Sequence, residues 1–235
     1  MERKVALVTG AGRGIGRATA LALAEAGCDL AICARTRRDL DEVAAEIRRL
    51  GRQALVYSGD MSREEDIRDC VERTVSEFGR LDILVNNAGI GRFHKIIDMT
   101  TDDWDRMFGL NVRGLFLMTR EALPHLRRSG EAVVVNVASL AGKNTFVGGG
   151  GYAATKHAVV AFSRCLMLEE RGHGIRVFTI CPGSVDTDFF FASEPGEEKR
   201  QRSLQPEDVA AGILFMITQP ERAMVSEMDI RPSNP

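Results

Sequence analysis

Short runs of Val, Ile, Leu and Ala alternate with longer stretches of helical period along the whole chain, and this alternation restricts the possible folds more than any other feature. Strands are read at 4–9 (KVALVT), 28–34 (CDLAICA), 53–58 (QALVYS), 81–86 (LDILVN), 132–139 (AVVVNVAS), 175–182 (IRVFTICP) and 223–230 (AMVSEMDI). Helices are read at 14–26, 37–50, 62–78, 101–128 with a break near Gly109, 152–171 and 206–218. Most of the strands are apolar on both faces, which is the pattern of a sheet covered by helices on each side. The regular alternation predicts an α/β chain with a doubly wound, mainly parallel, seven-stranded sheet. Thr36 with Asp39 forms an N-cap pattern, and Gly27, Gly51 and Gly79 follow helical runs as C-terminal stops.

The rest of the chain bounds what such a sheet would serve. At 235 residues, 44% apolar and 27% charged, one domain with one large core is expected over 1–235. A formal net charge of −2 provides no basic field for nucleic acid or an anionic membrane. The start, MERKVALVTG, runs directly into a strand, and no apolar run approaches about 18 residues, so a cytoplasmic protein is expected. Five cysteines without a C-x-x-C pair and four dispersed histidines lack ligand spacing, so neither disulfide nor metal is expected. The stretch 192–203 (ASEPGEEKRQRS) is charged and poor in apolar residues; it reads as a loop, within a substrate loop near 184–205.

After the first strand comes TGAGRGIG, with glycines at 10, 12, 14 and 16 and a helix pattern behind them. Glycine suits that place because the chain must turn tightly, let a pyrophosphate approach the backbone, and aim a helix N-terminus at the anion. At the first strand-to-helix junction of an alternating chain, this predicts a dinucleotide site in a Rossmann-type sheet. At the end of the second strand, Ala34 and Arg35 stand where an aspartate would accept the ribose hydroxyls. An arginine can clamp a 2′-phosphate through paired hydrogen bonds, and Arg13 could reach the same group, so NADP(H) is favoured over NAD(H). Arg37 and Arg38 read as a solvated helix start.

With TGAGRGIG, NNAG at 86–89, Asn111, Ser139, YAATK at 152–156 and PG at 182–183 in this order, the chain resembles the short-chain dehydrogenase/reductase family, in its compact one-domain subclass. The likeness covers essentially the whole chain, and its tail is similar to those of bacterial carbonyl reductases and 3-hydroxy-acid dehydrogenases. The glycine-rich ending of many 3-oxoacyl carrier-protein reductases is missing. The resemblance implies that Tyr152 exchanges a proton with the substrate oxygen, Ser139 hydrogen-bonds that oxygen, and Lys156 lowers the tyrosine pKa and holds the nicotinamide ribose. It implies that Asn111 keeps a water linking Lys156 to solvent. For the cofactor it implies Gly10, Gly12, Arg13, Gly14, Ile15 and Gly16 at the phosphates, and Asp60 and Met61 near the adenine. Asn86, Asn87, Ala88 and Gly89 would lie near the ribose, and Val185 and Thr187 would hold the carboxamide after the turn at Pro182 and Gly183. Asn86 and Asn87 also fit a second role, bridging neighbouring strands.

From the residues themselves, Tyr152 and Lys156 are one helical turn apart, which puts the ammonium on the phenol's face about 6 Å along the axis. A free tyrosine titrates near pH 10, and lowering that by about three units needs about 4 kcal/mol, a task for Lys156 together with an oxidised nicotinamide. The glycines at 148–151 are expected to keep room for substrate beside the phenol. Phe189, Phe190 and Phe191 suggest an apolar lid and a modest apolar ketone or aldehyde. Apolar residues around more than one face of the helices from Asn111 and Tyr152 suggest a homodimer or homotetramer. The expected activity is NADPH-linked interconversion of a carbonyl and an alcohol. A sugar-nucleotide epimerase or dehydratase, and an NADPH-binding regulatory module without turnover, are the alternatives.

Overall fold

The computed structural model describes residues 1, 3–187, 189 and 202–234. Among them, β1 (Val5–Thr9), β2 (Asp29–Ala34), β3 (Ala54–Ser58), β4 (Ile83–Asn86), β5 (Ala132–Val137), β6 (Ile175–Pro182) and β7 (Glu227–Ile230) form one sheet. Its order is β3-β2-β1-β4-β5-β6-β7 and every pairing is parallel. The chain winds outward from β1 to β3, then returns past β1 to β4. The crevice beyond the carboxyl ends of β1 and β4 is therefore the switch point where open α/β sheets bind ligands.

Alternation along each strand divides the core in two. Ala6 and Val8 of β1 join Ile32, Val85, Val135 and Phe178 on the face covered by α1 (Gly14–Glu25), α2 (Arg37–Arg49) and α7 (Pro206–Ile217). Leu7 joins Ala31, Leu84, Val134 and Val177 on the other, under α3 (Glu64–Phe78), α5 (Leu115–Ser129) and α6 (Gly150–Glu170). Burial of each such side chain contributes about 1.5–3 kcal/mol. The fully buried Asp82 carboxylate, at the foot of β4, accepts from Val5 N and from Arg80 Nε and Nη2. Burial works against its charge, but these donors together with Ser129 outweigh it and hold the carboxyl below its ordinary value.

The helix expected over 101–128 is interrupted as anticipated near Gly109, but by a wider turn rather than a gap. α4 (Thr101–Phe108) runs through a π-helical stretch at Gly109–Gly114 into α5. A Cβ on Gly114 would lie 2.2 Å from the Met61 carbonyl oxygen, so this glycine lets the loop after β3 approach the helix. α6 begins at Gly150, two residues before the expected start, and β7 covers only Glu227–Ile230 of the expected 223–230. Thr36 precedes α2 without a side-chain capping bond, so the cap read from Thr36 and Asp39 is not formed. The glycine stops hold: Gly79 ends α3 at φ 73, in the left-handed region that glycine enters without strain.

Among the described residues no helix is long and apolar enough to cross a membrane, and no cluster of His, Cys, Asp and Glu could hold a metal ion. All five cysteines are unbridged. Phe190, Phe191 and residues 192–201 of the expected loop lie outside the described residues. Leu115, Met118, Ala122 and Leu126 are in the core, leaving Phe116, 42% exposed, as the outward apolar residue of that set.

Candidate active site

The glycine turn after β1 is built by backbone that other residues could not follow. Gly10 and Gly14 have φ of +66 and +55, and a Cβ on Gly16 would lie 2.3 Å from the Gly10 carbonyl oxygen. α1 then starts after Arg13 with no side-chain cap and no acidic residue in its first turn, which leaves its N–H groups for an anion. Asn87 Nδ2 donates to the carbonyls of Thr9 and Gly10, and Thr9 Oγ1 accepts from the backbone N–H groups of Asn87 and Ala88. These bonds tie the turn to the end of β4. The result is a cleft of about 520 Å³, with Gly10, Gly12, Arg13, Gly14 and Ile15 on one wall.

At one end, Arg35, Asp60 and Met61 line the cleft. Arg37 pairs with Asp41, and Arg38 with Asp39 and Glu42, as a solvated helix start would. The Arg35 backbone carbonyl accepts from Ser58 Oγ, and among the described residues its guanidinium forms no ion pair. Asp60 Oδ1 accepts from Ser62 N and Oγ, which fixes the carboxylate. Thr36 and Asp39 also line this end, and sequence reasoning had placed neither there. The missing cap bond of Thr36 is consistent with a hydroxyl turned to another task.

At the other end are Asn87, Ala88, Gly89, Tyr152, Lys156, Pro182, Gly183, Val185 and Thr187. A Cβ on Gly14 would lie 3.0 Å from Thr187 Cγ2, so the segment after β6 reaches across to the glycine turn. Asn86 is not among the residues that line the cleft. It is 4% exposed, and its Nδ2 donates to Thr119 Oγ1 and Asn136 Oδ1, which bridges β4 to β5 and α5 under the cleft. Gly16 likewise lies beneath the turn, pressed against Gly10 and Asn87.

Tyr152 sits in the first turns of α6, 3% exposed, and Lys156 follows it, 6% exposed. Lys156 Nζ donates to the Val137 carbonyl at 2.9 Å and lies 5.8 Å from the Tyr152 ring centroid. Burial pushes the lysine down to about 8 from its usual 10.5. Burial also pushes the tyrosine up to about 12, against an opposing hydrogen bond from Ser139. The sequence expectation was a lowered phenol; with protein groups alone desolvation is larger than any help from the ammonium. Ser139, just past β5, also accepts from Ala141 N and donates to the Pro182 carbonyl at 3.4 Å.

Asn111 lies on the π-helical stretch, 2% exposed. Its Nδ2 donates to Ile90 O and Thr155 Oγ1, and its Oδ1 accepts from Ile90 N. Both side-chain hydrogens are thereby used on protein partners, while Oδ1, which has two lone pairs, accepts from Ile90 N. The wider turn is what brings this residue toward the loop after β4, and π-helical insertions of this kind are frequent at functional sites.

The glycines before Tyr152 do not leave the open space expected of them. A Cβ on Gly149 would meet the Phe146 ring at 2.5 Å, one on Gly150 would meet Ile96 Cδ1 at 2.4 Å, and one on Gly151 would meet Met107 Cε at 2.6 Å. The room they provide is filled by the protein's own apolar side chains. Phe189, the one described member of the phenylalanine triplet, lies with its ring centroid 5.7 Å from that of Tyr152.

The comparisons agree with this geometry. The model of the short chain dehydrogenase family matches residues 4–198. An uncharacterized oxidoreductase of Staphylococcus epidermidis is 33% identical over 232 residues, 99% of this chain and 98% of the relative. An alcohol dehydrogenase from the archaeon Thermococcus sibiricus, complexed with 5-hydroxy-NADP, has a TM-score of 0.92 at 31% identity, covering 99% of this chain and 97% of that one. A 3-ketoacyl-(acyl-carrier-protein) reductase from Brucella melitensis, complexed with NADH, has a TM-score of 0.91 at 34% identity, covering 99% and 98%. With the parallel sheet, the glycine turn at its switch point and the Tyr152–Lys156 pair in one cleft, these likenesses make the chain a member of the short-chain dehydrogenase family, an oxidoreductase acting on CH–OH groups.

Proposed function

We propose that the protein interconverts a ketone or aldehyde and its alcohol with NADP(H), and that Tyr152 exchanges the proton. The observation that carries this reading is the meeting of Tyr152 and Lys156 at one end of the cleft whose wall is the glycine turn, with Ser139 hydrogen-bonded to the phenol. The fit of a dinucleotide rests on the bare N-terminus of α1 and on glycines whose Cβ atoms would collide with Asn87, Gly10 and Thr187. The bound nicotinamide supplies or accepts the hydride. In reduction, Tyr152 gives its proton to the carbonyl oxygen; a phenol held neutral by burial is in the right state to do so. Ser139 hydrogen-bonds the same oxygen and orients it. Lys156, still charged at neutral pH, favours the phenolate left behind and holds the ribose through Nζ. Asn111 fixes Ile90 and Thr155 around the site, and its remaining acceptor capacity is assigned to a water that links Lys156 to solvent.

The preference for NADP(H) over NAD(H) is supported by Arg35, which forms no ion pair among the described residues, by Arg13 in the lining of the same cleft, and by Ala34 in place of a carboxylate as the last residue of β2. Asp60 and Met61 are assigned to the adenine, Ala88 and Gly89 to the ribose, and Val185 and Thr187 to the carboxamide. Asn86 is assigned to the framework beneath. A cytoplasmic homodimer or homotetramer is part of the same reading, supported by exposed Phe116 and by Leu168 on α6, 57% exposed. The test is consumption of NADPH against a panel of ketones, aldehydes and 3-oxo esters, with Tyr152→Phe as the control that binds NADPH and reduces none of them.

A further inference from the structure

Three phenylalanines from three different loops form a graded path to the phenol. Phe93, after β4, meets the Tyr152 ring edge-on at 5.4 Å and 71°. Phe146, after β5, leans on the outer side of Phe93 at 5.9 Å. Phe189, after β6, meets Tyr152 from another direction. Phe93 and Phe189 converge over Gly91, where a Cβ would lie 2.8 Å from Phe93 Cζ and 3.0 Å from Phe189 Cε1. Tyr152 is 3% exposed and Phe146 47%, and beyond Phe146 the rim continues in Val147, 87% exposed, and Ile96, 70% exposed.

The glycine run belongs to this rim. Gly149 lies directly under the Phe146 ring and Gly150 under Ile96, so two adjacent glycines let two outward apolar side chains settle against the start of α6. Apolar side chains kept in water beside a reaction centre regain burial when an apolar group lies on them. Arg92 and His94, on the same loop as Phe93, both lie within 4 Å of Asp103, whose carboxylate offsets the Arg92 charge beside the rim.

We infer that the rim of Phe93, Phe146 and Ile96 receives a flat apolar substituent of the substrate, so that the protein selects aryl ketones over small aliphatic ones. The inference rests on the proposed carbonyl reduction and names its substrate class. Phe146 is the specificity-determining ring, and Gly149 is the residue that lets it lie where it does.

The test compares acetophenone with acetone in kcat/KM with NADPH, and the same two ketones in Kd on the NADP+-loaded protein, where no hydride is present to transfer. The wild type is expected to favour the aryl member in both. Phe146→Ala, at a half-exposed position that leaves the core intact, should lower the aryl-to-small ratio roughly two- to tenfold, the range of one lost aromatic contact. Gly149→Ala should displace the ring and act in the same direction, yet add nothing in the Phe146→Ala background. Equal handling of the two classes by the wild type, or a ratio untouched by Phe146→Ala, overturns the inference. A Phe146→Ala change confined to the sedimentation of the assembly overturns it also, and makes the rim an interface between copies. Absence of turnover with a preserved aryl preference in Kd would support the rim and count against carbonyl reduction itself.

Discussion

Lys156 Nζ is anchored to the Val137 carbonyl at 2.9 Å while standing 5.8 Å from the centroid of the Tyr152 ring. The bond to the strand end fixes where the charge sits; burial fixes when it is present. An ammonium lowered to about 8 is charged below that pH and loses its charge above it. Reductive kcat/KM at saturating NADPH is therefore expected to fall as pH rises through about 8, and Lys156→Met should be slow and lack that limb. A wild-type profile flat to about pH 9, one unit beyond the midpoint, would remove Lys156 from the proton chemistry.

Asn111 is a positioning residue whose worth is open to measurement. Its replacement by leucine, similar in size, leaves the part-buried Ile90 N–H and C=O without these partners. We expect Asn111→Leu to lose about 1 kcal/mol in urea denaturation, the net worth of a hydrogen bond at part-buried groups. Unchanged stability would mean that the loop after β4 finds other partners and that Asn111 does not hold it.

Much of this was legible in the sequence because the physics behind it is local. Strand burial on both faces and helical period needed only the side chains of each segment, and the seven strands were located to within a few residues of where they pair. The turn at Gly10 to Gly16 was readable because no other residue type tolerates its backbone. What escaped depends on contacts between distant segments. The sequence offered Asn86 two roles, and what decides between them is Thr119 and Asn136, which receive its side chain and lie far from it in sequence. The glycines at 149–151 looked like open space and are the seats of Phe146, Ile96 and Met107. The direction of the Tyr152 shift depends on how completely Phe93, Phe189 and Ala153 enclose the ring, which no spacing of tyrosine and lysine reveals.

Arg35 decides the cofactor in this account. Arg35 lines the cleft and forms no ion pair among the described residues, while Arg37 and Arg38 beside it are paired. Removal of a hydrogen-bonded charge partner costs about 1.5–3 kcal/mol, so Arg35→Ala should weaken NADPH binding roughly 10- to 100-fold in a fluorescence titration. NADH, without the 2′-phosphate, should bind the variant as it binds the wild type. Equal weakening of both would contradict the clamp.

Tyr152→Phe is the most direct test, because phenylalanine keeps the ring against Phe93 and Phe189 and removes only the hydroxyl. Single-turnover reduction with pre-bound NADPH separates the chemical step from binding. The account predicts wild-type NADPH affinity and a loss of about 10²–10⁴ in the rate of hydride transfer, the usual share of a general acid. A variant that transfers hydride within a few-fold of the wild type, with the cofactor bound as before, would contradict it.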